Sequence, residues 1–181
     1  MSKSLIYKMF LSGAALVLSA CQSNQTTLAP LATVAQVDLK RFMGDWYVIA
    51  NIPTFMEKGA HNAVESYRLD TDGTIAVTFT FRDGAFDGTP KQYSPRGFVR
   101  SDPSNASWDM QFIWPIKADY RITYLSQDYS RTIISREKRD YVWIMARTPV
   151  LPEADYQRLL KIVGEQGYDL SRVQKVPQQW K

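Results

Sequence analysis

Side chains able to perform acid–base or metal chemistry are few in this chain, and they do not cluster. Its 181 residues contain one histidine, His61, in a predicted loop, and one cysteine, Cys21, near the N-terminus. Most histidine-dependent triads and histidine–cysteine metal sites are thereby excluded. Asp83, Asp87 and Asp102 fall in predicted turns, where aspartate commonly caps backbone amides. We therefore expect no catalytic residue, no metal site and no cofactor.

The first twenty residues predict an export signal. Two lysines precede a short apolar run at residues 9–18, which is too short to span a bilayer. The sequence Leu18-Ser19-Ala20-Cys21 resembles a bacterial lipobox, which implies cleavage before Cys21 and acylation of that cysteine. A plain secretory signal with an incidental cysteine is the alternative. It is the weaker one, because a lone thiol in an exported protein is unusual unless it is used.

The residues after the cleavage site predict a lipidated tether on an outer membrane. Residues 21–36 are small and uncharged, as in a flexible coil. Gln22 stands where an aspartate would favour retention in the inner membrane, so the resemblance implies the outer membrane, at its periplasmic face. Loss of residues 1–20 removes two lysines, and the excess of basic residues falls from 22 − 18 = +4 to 20 − 18 = +2. So small an excess does not favour nucleic acid as a partner.

Alternation of apolar and polar residues predicts an all-β domain over residues 37–181. The clearest case is strand three, one face of which carries Ile75, Val77, Phe79 and Phe81. Such segments recur about every ten to twelve residues, which is typical of an antiparallel meander. The eight predicted strands cover residues 46–52, 63–69, 75–81, 93–100, 108–114, 120–125, 131–136 and 141–148.

Two helical pieces flank the predicted strands. Asp38 is expected to cap a turn or short helix before the first strand. After the last strand, Pro152 suits the first turn of a longer helix and Gly167 is expected to end it. Its apolar face, which should pack against the outside of the sheet, consists of Tyr156, Leu159, Leu160 and Val163.

Eight antiparallel strands can form a sandwich or close into a barrel that holds one small ligand. Large aromatic and methionine side chains predominate at the inward positions, and these can line a cavity and adapt to an alkyl chain. The same residue types also occur in a dry core, so composition leaves both arrangements open. The predicted cavity residues are Val48, Ala50, Val77, Phe79, Phe81, Trp108, Met110, Phe112, Trp114 and Tyr124.

Three short motifs resemble the conserved regions of the lipocalin family: Gly44-Asp45-Trp46-Tyr47, Asp128-Tyr129 and Arg147. Together with residues 141–149 and the lipobox, they are most similar to the bacterial outer-membrane lipocalins. The resemblance implies an eight-stranded antiparallel up-and-down β-barrel with one C-terminal α-helix packed outside. It also implies that Trp46 closes the barrel floor and that Arg147 stacks across the indole and bonds nearby carbonyls. Gln127 departs from the family pattern, in which threonine is common.

The resemblance implies lipid binding rather than catalysis. The expected ligand is a fatty acid or a phospholipid, lysophospholipid in particular, held for storage or transport in envelope maintenance with its head group at the open mouth. The basic residues that could meet a phosphate are Arg82, Lys91, Arg121 and Arg136. Another small hydrophobic ligand, or a filled barrel that acts as a scaffold for protein partners, is the alternative. A homodimer, and a lid formed by Phe55 and Met56, are left open.

Overall fold

The computed structural model describes residues 28–180, whose strands form one antiparallel β-sheet that closes on itself. Its strands are β1 (Gly44–Ile52), β2 (Ala60–Leu69), β3 (Ile75–Asp83), β4 (Pro90–Tyr93), β5 (Arg96–Val99), β6 (Ser107–Ile113), β7 (Ile116–Leu125), β8 (Arg131–Ser135), β9 (Val142–Ala146) and β10 (Gln174–Lys175). Strands adjacent in sequence pair in order, except that β4 is a side branch on β3, and β1 also pairs with β9, which closes a barrel.

The predicted eight-stranded barrel is confirmed once two details are taken into account. The predicted fourth strand is broken into β4 and β5, both of which pair with β3, and β10 is a two-residue addition to β1. Outside the barrel lies the predicted C-terminal helix, α2 (Glu153–Glu165), followed by a 3₁₀ turn at Leu170–Arg172. A short helix, α1 (Leu39–Phe42), precedes the barrel, and Asp38 caps it as predicted by accepting from two backbone amides.

The two ends of the barrel follow from its antiparallel topology, because successive turns alternate between them. We call the end where β1 begins the floor; it carries α1 and the loops at residues 70–74, 100–106, 126–130 and 147–152. We call the opposite end the mouth; it carries the loops at residues 53–59, 84–89, 114–115 and 136–141.

Two β-bulges overturn part of the predicted inward-facing set. The register shifts between Val48 and Ala50 in β1, and between Ile122 and Tyr124 in β7. Each extra residue reverses the alternation beyond it. Ala50 and Tyr124 therefore lie in the apolar layer between the barrel and α2 instead of facing a cavity. The apolar face of the helix that covers this layer includes Tyr156, Leu159 and Val163.

The part of the predicted tether that the structure describes, residues 28–36, packs along the barrel wall. Leu31 is buried, and its N–H donates to the Glu137 carboxylate at 3.3 Å. The Val34 N–H donates to the Ile122 carbonyl at 3.0 Å. The prediction of flexible coil was wrong for these residues, because main-chain hydrogen bonds and an apolar contact fix them.

The predicted signal peptide, Cys21 and the first part of the tether lie outside the described residues. Within residues 28–180, no helix combines the length and the apolar character needed to cross a membrane.

Candidate functional site

A cavity of about 390 Å³ runs into the barrel from the mouth end. Side chains from the strands and from the β1–β2 loop line it, and most of them are apolar. The main apolar lining residues are Phe55, Met56, Val77, Phe79, Tyr93, Met110, Phe112, Ile113, Ile116 and Trp143. A concave, largely apolar site of this size is typical of a pocket for one small ligand.

Four of the predicted cavity residues border this space: Val77, Phe79, Met110 and Phe112. The first three are buried, and Phe112 is 43% exposed near the end of β6. Simple alternation along β3 placed Val77 and Phe79 correctly on the inward face. In β6 the register shifts between Met110 and Ile113, and both Met110 and Phe112 nevertheless border the cavity.

Three further predicted residues lie inside the barrel without lining the cavity. Val48 and Phe81 belong to the packed core. Trp108 begins β6 at the floor end, where its ring stacks on Tyr120 with centroids 4.9 Å apart. The inward face of a strand includes both packed and cavity-lining positions, and alternation does not separate them.

The prediction that Trp114 lines the cavity was wrong. This residue follows the last residue of β6, at the tip of the β6–β7 hairpin, and its side chain is 82% exposed. Beyond the strand the alternation no longer applies, so the apolar character of Trp114 did not indicate an inward direction.

Sequence reasoning missed a carboxyl group that faces the cavity. Glu65 borders it and accepts a hydrogen bond from the Tyr67 hydroxyl, which lies 2.8 Å from the Tyr120 hydroxyl. Burial raises the pKa of Glu65 to about 7, although the hydrogen bond from Tyr67 opposes the shift. Its spacing of two from Tyr67 on a predicted strand was the available signal.

A second carboxyl group holds the β1–β2 loop against the interior. Glu57 is buried, and its carboxylate accepts from Asn51 Nδ2 at 2.9 Å and from Trp143 Nε1 at 3.0 Å. Burial raises its pKa, against the effect of these hydrogen bonds. Nothing in the loop sequence indicated this, because one of the two partners, Trp143, comes from β9, which is distant in the chain.

One of the four predicted basic residues lies at the cavity. Arg136 borders it at the mouth end, pairs with Asp140 at 3.3 Å and lies over the Tyr141 ring at 5.2 Å. Within the described part of the chain its buried Nε–H has no hydrogen-bond partner. The other three do not line the cavity and contact Gly88, Asp83, Asp119 and Glu137.

At the floor, Trp46 is fully buried and its Nε1–H donates to the Phe42 carbonyl at 2.9 Å. The Arg147 guanidinium lies 3.8 Å from the indole centroid. The same guanidinium donates to five carbonyls, those of Arg41, Phe42, Met43, Asp45 and Tyr129. Gly44, with a φ of +91°, allows the chain to approach it, because a Cβ there would lie 3.4 Å from Arg147 Nη1.

The loop that contains Asp128 and Tyr129 lies at the floor and adds hydrogen bonds to it. The Asp128 carboxylate accepts from the Ser126 hydroxyl at 2.6 Å and from the Ser130 hydroxyl at 2.8 Å. These hydrogen bonds lower the pKa of Asp128 to about 2. The Tyr129 hydroxyl accepts from the Asp38 N–H at 2.9 Å. Ser126 and Ser130, which the sequence analysis did not single out, supply the hydrogen bonds within this loop beside Gln127.

The residues that the structure describes form no grouping suited to a metal ion. In that part of the chain, no three histidine, cysteine, aspartate or glutamate side chains are grouped so as to hold a metal ion. What the geometry offers is a largely apolar cavity lined also by three carboxyl residues, Glu57, Glu65 and Asp119, and by one guanidinium, that of Arg136, at the mouth end.

Comparison with known proteins agrees with this geometry. The lipocalin-like domain family matches residues 37–178. Temperature-induced lipocalin-1 of Arabidopsis thaliana is 32% identical, over 82% of this chain and 83% of the relative. The outer membrane lipoprotein Blc of Escherichia coli is 28% identical, over 88% of this chain and 89% of the relative. Insecticyanin of Manduca sexta has a similar fold, with a TM-score of 0.66 at 16% identity over 84% and 86% of the two chains. The chain therefore belongs to the lipocalin family, whose members bind hydrophobic ligands.

Proposed function

We propose that this lipocalin is a membrane-anchored carrier of one amphiphile, a fatty acid or a phospholipid, for storage or transport in envelope maintenance. Lysophospholipid fits best. The observation that carries the proposal is the apolar cavity of about 390 Å³ that opens at the mouth. This volume lies in the lower part of the range of about 300 to 1,000 Å³ for small-molecule sites, which favours one acyl chain over two.

The driving force for loading is removal of the acyl chain from water, at about 0.8 kcal/mol per buried methylene. Phe79 and Met110 offer a deformable apolar surface along the chain. Release is expected wherever a bilayer offers the same burial, so the cavity exchanges its ligand with membranes at little net cost.

The charges around the cavity favour a head group at the mouth. A carboxylate or phosphate deep inside would face Glu65, which repels it once it is ionised. Arg136 at the mouth presents an N–H that has no partner within residues 28–180. A guanidinium binds phosphate strongly, so a lysophospholipid with its chain inside and its phosphate at Arg136 matches both parts of the site.

The anchor and the location rest on the N-terminal sequence. Removal of residues 1–20 and acylation of Cys21 would fix the protein to the periplasmic face of the outer membrane through residues 21–36, with the barrel of residues 37–181 beside it. The relative named outer membrane lipoprotein Blc supports this assignment. Dual or triple acylation gives stable attachment to the membrane.

The test is titration of the unacylated chain, residues 22–181, with lysophospholipid and fatty acid, followed by native mass spectrometry. We expect one bound lipid per chain. Met110→Trp fills the cavity and should weaken binding about tenfold or more. Val150→Trp, at an exposed position of the floor end, is the matched control and should leave the affinity unchanged.

A second variant tests the head-group assignment. Arg136→Gln should weaken binding of lysophospholipid more than binding of an uncharged monoacylglycerol, because only the former brings a phosphate to the mouth. Equal weakening of both would contradict the assignment. A parent protein that binds no lipid would contradict the carrier function and favour the scaffold.

A further inference from the structure

Exposed apolar side chains are concentrated at the mouth end. Four of them form what we call the rim patch: Phe55, 79% exposed, Ile113, 69%, Trp114, 82%, and Ile116, 69%. At the floor end, Val150 is the one large apolar side chain of comparable exposure among residues 28–180. Monomeric soluble proteins rarely expose apolar clusters of this kind unless the surface binds something.

The rim patch is also the entrance to the cavity. Phe55, Ile113 and Ile116 line the cavity opening, and Trp114 lies between the two isoleucines at the hairpin tip. The ladder between β5 and β6 ends at Gln111, whereas β6 and β7 pair up to Ile113 and Ile116, so the hairpin tip extends beyond the β5 strand beside it. A ligand that enters or leaves the cavity must pass these side chains.

The N-terminal segment reaches the same end of the barrel. Leu28 lies against the turn after α2, where a Cβ built on Gly167 would be 3.0 Å from Leu28 Cδ2. The Ala29 carbonyl accepts a hydrogen bond from Arg139, in the mouth loop at residues 136–141. From there the chain runs down the barrel wall to α1 at the floor.

This path fixes how far the mouth end can lie from an anchor at Cys21. Six residues lie between Cys21 and Leu28, and the seven Cα–Cα steps that join them span at most about 25 Å when fully extended. An acylated Cys21 therefore keeps the mouth end, rather than the floor end, next to the bilayer. The rim patch is held at a high effective concentration against the lipid surface.

We propose that the rim patch docks on the lipid bilayer, so that the cavity opens onto the membrane and the ligand transfers without crossing bulk water. This inference rests on the proposed function for the anchor and for the nature of the ligand. Trp114 is the leading contact, because tryptophan is enriched at membrane–water interfaces and this one is the most exposed residue of the rim patch.

The test measures binding of the unacylated chain, residues 22–181, to phosphatidylcholine vesicles, so that only the protein surface contributes. Trp114→Ser should lower vesicle partitioning about tenfold, and Trp114→Phe should largely preserve it. Val150→Ser, the equally exposed apolar position at the floor end, should leave partitioning unchanged. Lipids brominated on the acyl chain should quench the tryptophan fluorescence of the parent more than that of the Trp114→Phe variant.

Two results would overturn the docking surface. One is equal partitioning of the parent and the Trp114→Ser variant. The other is a dimer that dissociates in the Trp114→Ser variant while vesicle binding persists, which would make the patch an interface between copies. Lysophospholipid titration without vesicles separates this proposal from the carrier function, since Trp114 does not line the cavity. If the protein takes up no lysophospholipid but still binds vesicles through the rim patch, the result contradicts the carrier function and leaves the docking surface in place.

Discussion

Two tryptophans at opposite ends of the barrel have opposite surroundings. Trp46 at the floor is fully buried, hydrogen-bonded through Nε1 and stacked under the Arg147 guanidinium at 3.8 Å. Trp114 at the mouth leaves 82% of its surface in solvent. At the floor each of the three guanidinium nitrogens of Arg147 donates to at least one carbonyl, whereas at the mouth Arg136 keeps a buried N–H without a partner in the described chain.

The comparison indicates a division of labour along the barrel axis. The floor combines burial, hydrogen bonding and a cation–π contact, all of which stabilise the fold. The mouth retains exposed apolar side chains, and the interior below it holds desolvated carboxyl groups, each of which opposes folding to some degree. Local rules of this kind are usually violated where a protein binds something, so the violations themselves mark the functional end.

The largest expected effect is on the buried tryptophan. Trp46→Ala should lower the free energy of unfolding by about 3 to 5 kcal/mol, because it removes a fully buried indole and the face on which Arg147 lies. Trp114→Ala should change it by less than about 0.5 kcal/mol. Denaturant unfolding of both variants tests this difference. Equal midpoints for Trp46→Ala and the parent would contradict the structural role of the floor.

The sequence predicted the architecture well, because strand alternation and turn residues are local signals. The pattern of β3, in which buried and half-buried residues alternate from Ile75 to Phe81, is the clearest example. Topology and helix placement followed from the same signals.

What the sequence did not predict depends on contacts between distant segments. A bulge carries no side-chain signature, so the outward direction of Ala50 and Tyr124 was not visible. The carboxyl group of Glu57 is buried because Asn51 and Trp143 meet it from separate strands. The sequence predicted a flexible tether at Leu31, because the contacts that bury this residue exist only once the barrel wall has folded.

A second prediction concerns the carboxyl group of Glu65, whose burial should lower the free energy of unfolding at neutral pH. Because the folded state keeps Glu65 protonated up to a pKa of about 7, while the unfolded chain releases that proton near 4.5, stability should fall as pH rises between these values. The difference corresponds to at most about 3 kcal/mol. Glu65→Gln should flatten this part of the profile and exceed the stability of the parent above pH 7.

Unfolding curves measured between pH 4 and 8 distinguish this effect from general titration. Glu165→Gln, at an exposed position of α2, is the matched control and should keep the slope of the parent. Part of the slope should survive in Glu65→Gln, because the pKa of Glu57 is also raised by burial. A Glu65→Gln profile that coincides with that of the parent would show that Glu65 does not titrate in this window.

The smallest predicted effect has the opposite sign and belongs to the floor. Asp128 has a pKa of about 2, below the ordinary 3.8, because Ser126 and Ser130 donate hydrogen bonds to its charged form. Its contribution is present above pH 3.8 and is lost as pH falls through about 2.

Since the side chain is exposed, Asp128→Asn should cost less than about 1 kcal/mol at pH 5. The cost should disappear near pH 2 in acid unfolding, and Asp87→Asn, at an exposed position of the mouth loop, is the matched control. If instead the mouth variant lost more stability at pH 5 than the floor variant, the division between a stabilising floor and a binding mouth would fail.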